Sequence, residues 1–200
     1  MSSLALVPVK AGGTGKQRLA RSLTGEQRAG LIRVMLREVL AALAATPAID
    51  TVVVLSGARG DVPEALEVVP DSGTGLNDSL QAMLPVLAAR GATRLTVLFA
   101  DLPLVDAADI TALVGTADAH TVAVAPDHAG TGTNALTLAL PTAFRLQFGP
   151  GSFAAHLAEA ARLGLGVATV RRTGLACDID EPADVAALIG RRDPRYAFLG

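Results

Sequence analysis

Along the chain, short runs of β-branched and aliphatic residues alternate with longer stretches in which apolar residues recur every three or four positions. The runs are Leu4–Val9, Thr51–Leu55, Leu66–Val69, Leu95–Phe99, Thr121–Ala125, Ala135–Leu140 and Gly166–Val170. Their length and side-chain type predict strands, and their near-continuous apolar character suits strands covered on both faces. The periodic stretches, about Gly25–Ala45, Gly75–Arg90, Ala107–Val114, Ser152–Leu163 and Pro182–Ile189, predict helices. In the first of them Leu31, Val34, Met35, Val39 and Ala42 fit a 3.6-residue period, and Thr24 with Gln27 resembles a capping box that opens it.

Strand–helix alternation at this spacing predicts an α/β fold with a largely parallel, doubly wound sheet. The rhythm breaks over Thr121–Leu140, where two runs separated only by a loop predict an antiparallel excursion. There is no repeat, linker or low-complexity tract, so residues 1–200 are read as one domain. In open sheets of this kind ligands lie beyond the carboxyl ends of the strands. The polar residues found there are the functional candidates.

Composition narrows the classes. Half of the residues are apolar and 18% are charged, which is globular, not disordered. Seventeen Lys and Arg against 19 Asp and Glu leave no broad basic surface for a nucleic-acid polymer. Aromatic content of 3% without Trp argues against stacking platforms for single strands. The one cysteine, Cys177, excludes an intramolecular disulfide and a thiolate zinc site. The start of the chain does not read as a signal peptide, and no apolar run approaches the ~18 residues of a membrane span. No membrane association and a cytoplasmic location are therefore expected.

The first strand runs into Lys10-Ala11-Gly12-Gly13-Thr14-Gly15-Lys16-Gln17-Arg18. Glycines let backbone N–H groups approach phosphates, while the three cations neutralise them. A P-loop is not matched: Lys10 stands at the first glycine of that pattern and Gln17 at its metal-binding hydroxyl. A plain basic surface loop is the competing reading. Asp101 follows a strand directly, and Asp178-Ile179-Asp180, if extended, puts both carboxylates on one side. Three Asp converging at one sheet edge would suit Mg²⁺, a hard ion that takes one or two carboxylates with phosphate oxygens and water. Alternatively Asp101 and Asp180 are helix caps, the latter ahead of Pro182.

Taken together, the residues resemble a known family. Val7-Pro8-Val9-Lys10 with Lys16-Gln17-Arg18-Leu19 is similar to the opening of the 2-phospho-L-lactate or phosphoenolpyruvate guanylyltransferases of coenzyme F-420 biosynthesis. Gly75-Leu76-Asn77, Ala100-Asp101-Leu102-Pro103, Pro126-Asp127, Gly130 through Leu136, Phe148 through Phe153 with His156, and Asp178 through Pro182 with Asp184 follow in order across nearly the whole chain. The resemblance implies a Rossmann-like three-layer sandwich with a mostly parallel mixed sheet, of the nucleotide-diphospho-sugar transferase type. The segment Ala11-Gly12-Gly13 is closer to the Gly-Gly opening of the molybdenum-cofactor relatives of that fold.

It further implies a reaction: GMP passes from GTP to a small phosphorylated three-carbon acid, pyrophosphate leaves, and the product goes to a downstream transferase. Mg²⁺ would be carried by Asp101, Asp178 and Asp180, with Lys10, Lys16 and Arg18 on the triphosphate. Gly12, Gly13, Gly75 and Asn77 would serve the nucleotide, Asn77 facing the guanine. Thr133, Asn134, Gly149 and Ser152 would hold the acceptor, with Ser152 at a helix N-terminus. Gly75, Asn77 and Ser152 are equally readable as ordinary turn or cap residues. Cys177 reads as a small buried strand residue, and His128 and His156 as structural or supporting groups near the acceptor segments. Other acceptors (3-phosphoglycerate, molybdopterin, a sugar phosphate) and a GTP-binding module without turnover remain alternatives.

Overall fold

In the first strand, β1 (Ser2–Pro8), side chains alternate between two apolar cores. Leu4 and Leu6 enter one, and Ala5 and Val7 the other, so the strand is buried on both faces. The computed structural model describes residues 2–10, 16–71 and 73–200. The remaining strands are β2 (Thr51–Ser56), β3 (Glu67–Pro70), β4 (Ala92–Leu98), β5 (Thr121–Pro126), β6 (Thr133–Ala139) and β7 (Gly166–Thr169). The helices are α1 (Gly25–Ala44), α2 (Leu76–Ala89), α3 (Ala107–Gly115), α4 (Ser152–Arg162), a single turn α5 (Thr173–Ala176) and α6 (Pro182–Gly190). Every predicted run and periodic stretch has its element. The 3₁₀ segments Gln17–Arg21 and Pro194–Leu199 and the turn α5 were not predicted, being too short to establish a period.

The sheet has the order β3-β2-β1-β4-β6-β5-β7. Only β6 runs against its neighbours β4 and β5, which is the expected antiparallel excursion. Helices α2 and α4 cover one face and α1 and α3 the other. From β1 the chain proceeds outward through β2 to β3, then returns to place β4 on the other side of β1. The strand order therefore reverses between β1 and β4, and the crevice beyond their carboxyl ends is the natural ligand position.

Local chemistry fixes the helix starts. The capping box of Thr24 and Gln27 is formed, each side chain bonded to the other residue's backbone N–H. Asp106 with Asp109 caps α3, and Glu181 with Asp184 caps α6. Neither Asp101 nor Asp180 is the capping residue. A third, smaller core joins Leu19, Leu31 and Met35 to Ile179, Val185, Leu188 and Tyr196. It ties the segment after the basic loop to the segment after α5, although about 160 positions separate Leu19 from Ile179. Among the described residues no helix is long and apolar enough to cross a membrane.

Candidate active site

The third core decides what meets at the switch point. With Leu19 and Ile179 buried in it, their neighbours Lys16 and Asp180 are brought face to face. The Lys16 ammonium donates to Asp180 Oδ1 at 2.6 Å and also pairs with Asp101, which follows β4. Its side chain is only 11% exposed. Burial opposes the charge, but the Asp101 and Asp180 carboxylates outweigh it and hold the ammonium above the ordinary lysine range. Lys16 adopts the left-handed conformation, φ 60°, a turn that aims its side chain back across the sheet edge.

Asp178 stands beside this bridge. Burial, followed by the nearby Asp101 and Asp180 charges, pushes its carboxyl above the usual range, while Asn134 Nδ2 donates to it at 3.1 Å and holds it down in part. The structure thus gathers the three predicted carboxylates, in a form other than the expected one. Among the described residues no three acidic, His or Cys side chains form a ready metal cage. Asp101 and Asp180 share Lys16, because two adjacent anions take the nearest cation. The donor chemistry still fits Mg²⁺, since all three are hard oxygen donors at the sheet edge.

Two clefts, each of about 430 Å³, open on either side of Phe99. Pro8, Val9, Lys10, Leu55, Asp71, Gly73, Gly75, Leu76 and Phe99 line the first, at the ends of β1 to β3. Lys10 is exposed there, and Gly75, at φ 123°, is the residue before α2. Asp71 Oδ1 accepts from Ser79 Oγ at 2.5 Å and from the Gly73 N–H at 3.1 Å. These bonds keep its carboxyl below the usual range. Asp71 was missed in the sequence, yet it follows the end of β3 as Asp101 follows β4, and the same rule would have found it. Gly12 and Gly13 lie outside the described residues.

The second cleft is lined by Arg18, Phe99, Asp127, Thr131, Gly132, Thr133, Asn134, Gly149, Pro150, Ser152, Asp178 and Asp180. All four expected acceptor residues are among these. Arg18 reaches the rim and pairs with Glu181 at 3.1 Å. Asp127 accepts from the backbone N–H groups of Thr131 (2.8 Å) and Gly132 (2.9 Å), which folds the β5–β6 turn against the cleft. A Cβ at Gly132 would lie 2.7 Å from Asp127 Oδ2, so any larger residue would displace the carboxylate that folds this turn. Ser152 is the first residue of α4, not its cap; Gly151 takes that position. The Ser152 hydroxyl is buried without a hydrogen-bond partner among the described residues.

Asn77, expected to face the guanine, engages its carboxamide with the main chain: it donates to Phe148 O at 2.9 Å and accepts from Phe148 N–H at 2.7 Å. Asn134 donates to Leu175 O and Asp178, so it holds a carboxylate in place. Cys177 follows α5 in a half-buried, non-strand position, and burial pushes its thiol up, away from nucleophilic use. His128 is exposed; His156 is fully buried under the second cleft.

Two clefts that share Phe99, with the Lys16 bridge reaching the second of them through Asp180, lie at the switch-point edge where ligands bind in this fold class. The family described as "Guanylyl transferase CofC like" matches residues 3–198. The chain belongs to this family. Among its relatives, a phosphoenolpyruvate guanylyltransferase of Sphaerobacter thermophilus is 39% identical, over 95% of this chain and 94% of the relative. A 2-phospho-L-lactate guanylyltransferase of Halorubrum lacusprofundi is 36% identical, over 87% and 78%. Among solved structures, a nucleotidyl transferase from a Methanothermobacter superposes with a TM-score of 0.65 at 20% identity, covering 95% of this chain and 97% of that one. A 4-diphosphocytidyl-2C-methyl-D-erythritol synthase gives 0.58 at 15%, covering 96% and 98%. At such identity these structures establish the fold, and it is the nucleotidyltransferase fold that the CofC-like family was expected to have.

Proposed function

We propose that the chain transfers GMP from GTP to phosphoenolpyruvate or 2-phospho-L-lactate, releasing pyrophosphate, as a cytoplasmic step of coenzyme F-420 biosynthesis whose product passes to a downstream transferase. The observation that carries the reading is the Lys16 bridge between Asp101 and Asp180 at the switch-point edge of the sheet, with Asp180 lining the second cleft. GTP would occupy the cleft of Lys10, Asp71 and Gly75. The phospho-acid would lie in the cleft of Thr133, Gly149 and Ser152, its anionic groups met by the hydroxyls of Thr133 and Ser152.

An oxygen of the acceptor phosphate attacks the α-phosphorus of GTP. A new P–O bond forms, the bond from the α-phosphorus to the bridging oxygen breaks, and its electrons leave with pyrophosphate. The nucleophile is already an anion, so no general base is required. Catalysis then consists of placing two strongly negative substrates together and stabilising charge on the leaving group. Lys10, Lys16 and Arg18 would neutralise the phosphates, with Phe99 lying between the two substrates. Asp101, Asp178 and Asp180 would hold Mg²⁺, which would supply Lewis-acid stabilisation of the phosphoryl oxygens.

The test is a panel of phosphoenolpyruvate, 2-phospho-L-lactate and 3-phosphoglycerate, each with GTP and Mg²⁺, followed by pyrophosphate release and mass spectrometry. A guanylylated adduct of one of the first two acids is expected. Far better turnover with CTP for every acid would overturn the donor. Tight GTP binding without pyrophosphate release for any acid would leave a nucleotide-binding module.

A further inference from the structure

Beneath the second cleft, both nitrogens of the His156 ring are engaged. The Gln147 backbone N–H donates to Nε2 at 3.0 Å, and Nδ1 lies 3.0 Å from Thr133 Oγ1. A backbone N–H can only donate, so Nε2 must carry a lone pair and the hydrogen of the neutral ring must sit on Nδ1. Nδ1–H therefore donates to Thr133 Oγ1. The ring is fully buried between Phe144, stacked at 5.9 Å, and Phe148, edge-on at 4.9 Å. This surrounding lowers its pKa to about 4, chiefly by burial, with the Glu159 charge acting weakly the other way, so the ring is neutral at physiological pH.

The consequence lies at Thr133. Its hydroxyl accepts from the ring, so its own hydrogen must go elsewhere, and Thr133 lines the acceptor cleft beside the unpartnered Ser152 hydroxyl. We propose that His156 is a positioning residue for acceptor recognition: by donating to Thr133 Oγ1 it leaves the Thr133 O–H free to donate toward the cleft, which favours an acceptor-only group such as a carboxylate or phosphate oxygen. With the opposite tautomer the hydroxyl would spend its hydrogen on the ring and could only accept from the cleft. The inference rests on the proposed guanylyl transfer, since it concerns the acceptor of that reaction.

Two substitutions separate the two bonds of the ring. His156→Asn places an amide donor near the position of Nδ1 and keeps the bond to Thr133; His156→Gln places a carboxamide oxygen near Nε2 and keeps only the bond from Gln147. Each loses one buried hydrogen bond, so a purely structural role predicts similar losses of thermal stability and similar kinetics. The proposal instead expects His156→Gln to raise KM for the phospho-acid by at least ~10-fold with KM for GTP unchanged, and His156→Asn to recover most of that loss. Equal acceptor KM values in the two variants would overturn it. Independently of activity, long-range ¹H–¹⁵N spectra of the wild-type protein at pH 7 are expected to show a protonated Nδ1 and a bare Nε2; the opposite tautomer would overturn it as well. Should the wild-type protein turn over no phospho-acid, the functional reading fails while the tautomer assignment remains separately decided.

Discussion

Lys16 carries more of the site than any other single side chain, because two carboxylates from distant segments converge on it. Replacing it with Met leaves Asp101 and Asp180 facing each other without a counter-charge. We expect Lys16→Met to lower pyrophosphate release by at least ~10²-fold, with the folded state retained as judged by circular dichroism. Asp101→Asn and Asp180→Asn are each expected to cut the same rate at least ~10²-fold, and near-normal rates in both would remove the metal proposal. Asp101 and Asp180 are 27% and 50% exposed and Asn is close to Asp in shape, so neither change should unfold the protein. The roles of Lys16 and Asp180 as charges were readable from residue type and from position after strands or glycines. Their direct pairing was not, since it depends on Leu19 and Ile179 sharing a core.

At the scale of elements, the segment from Phe144 to Phe148 has no regular structure, yet each of its five backbone N–H groups donates to a side chain. From α2, Gln81 bonds Phe144 O and Leu146 N–H, and Asn77 bonds both polar groups of Phe148. From α4, Glu159 accepts from Arg145 N–H and His156 from Gln147 N–H. Two helices thus hold the irregular segment that delivers Gly149 and Ser152 to the cleft. Asn77→Ala leaves the N–H and C=O of Phe148 unpaired, at a cost of about 1–3 kcal/mol in chemical denaturation, and raises the acceptor KM more than the GTP KM. A second element-scale constraint is Gly174 in α5. A Cβ there would lie 1.9 Å from Asp109 Oδ2 and 2.6 Å from Leu104 O. Asp109 is itself buried and paired with Arg172 at 2.7 Å, so it has little room to move. Gly174→Ala is expected to destabilise by about 1–3 kcal/mol on thermal or urea unfolding.

For the whole molecule, acid stability should reflect the polar groups under the second cleft. His156 titrates near pH 4 when folded against 6.5 in its ordinary state, so between these values the unfolded chain binds the extra proton. Its contribution is complete above pH 6.5 and is lost as pH falls toward 4, amounting to up to about 3 kcal/mol. Glu159, held to about 2 chiefly by its bonds from Arg162, adds a loss that begins below pH 4.5. Urea midpoints measured from pH 7.5 to 4.5 should fall in the wild type and fall less steeply in His156→Asn. What the amino-acid order determined by itself was everything carried by short-range pattern: seven strands, five helices, the Thr24 capping box, the antiparallel break and the acids at strand ends. These follow from periodicity, which neighbours in the chain express without a partner. The tertiary structure alone decided that Lys16 would lie between Asp101 and Asp180, that Asn77 would clamp Phe148, and that the His156 ring would carry its hydrogen toward Thr133. Each of those depends on which distant side chain shares the same buried space, and burial turns a polar atom's choice of partner into a requirement.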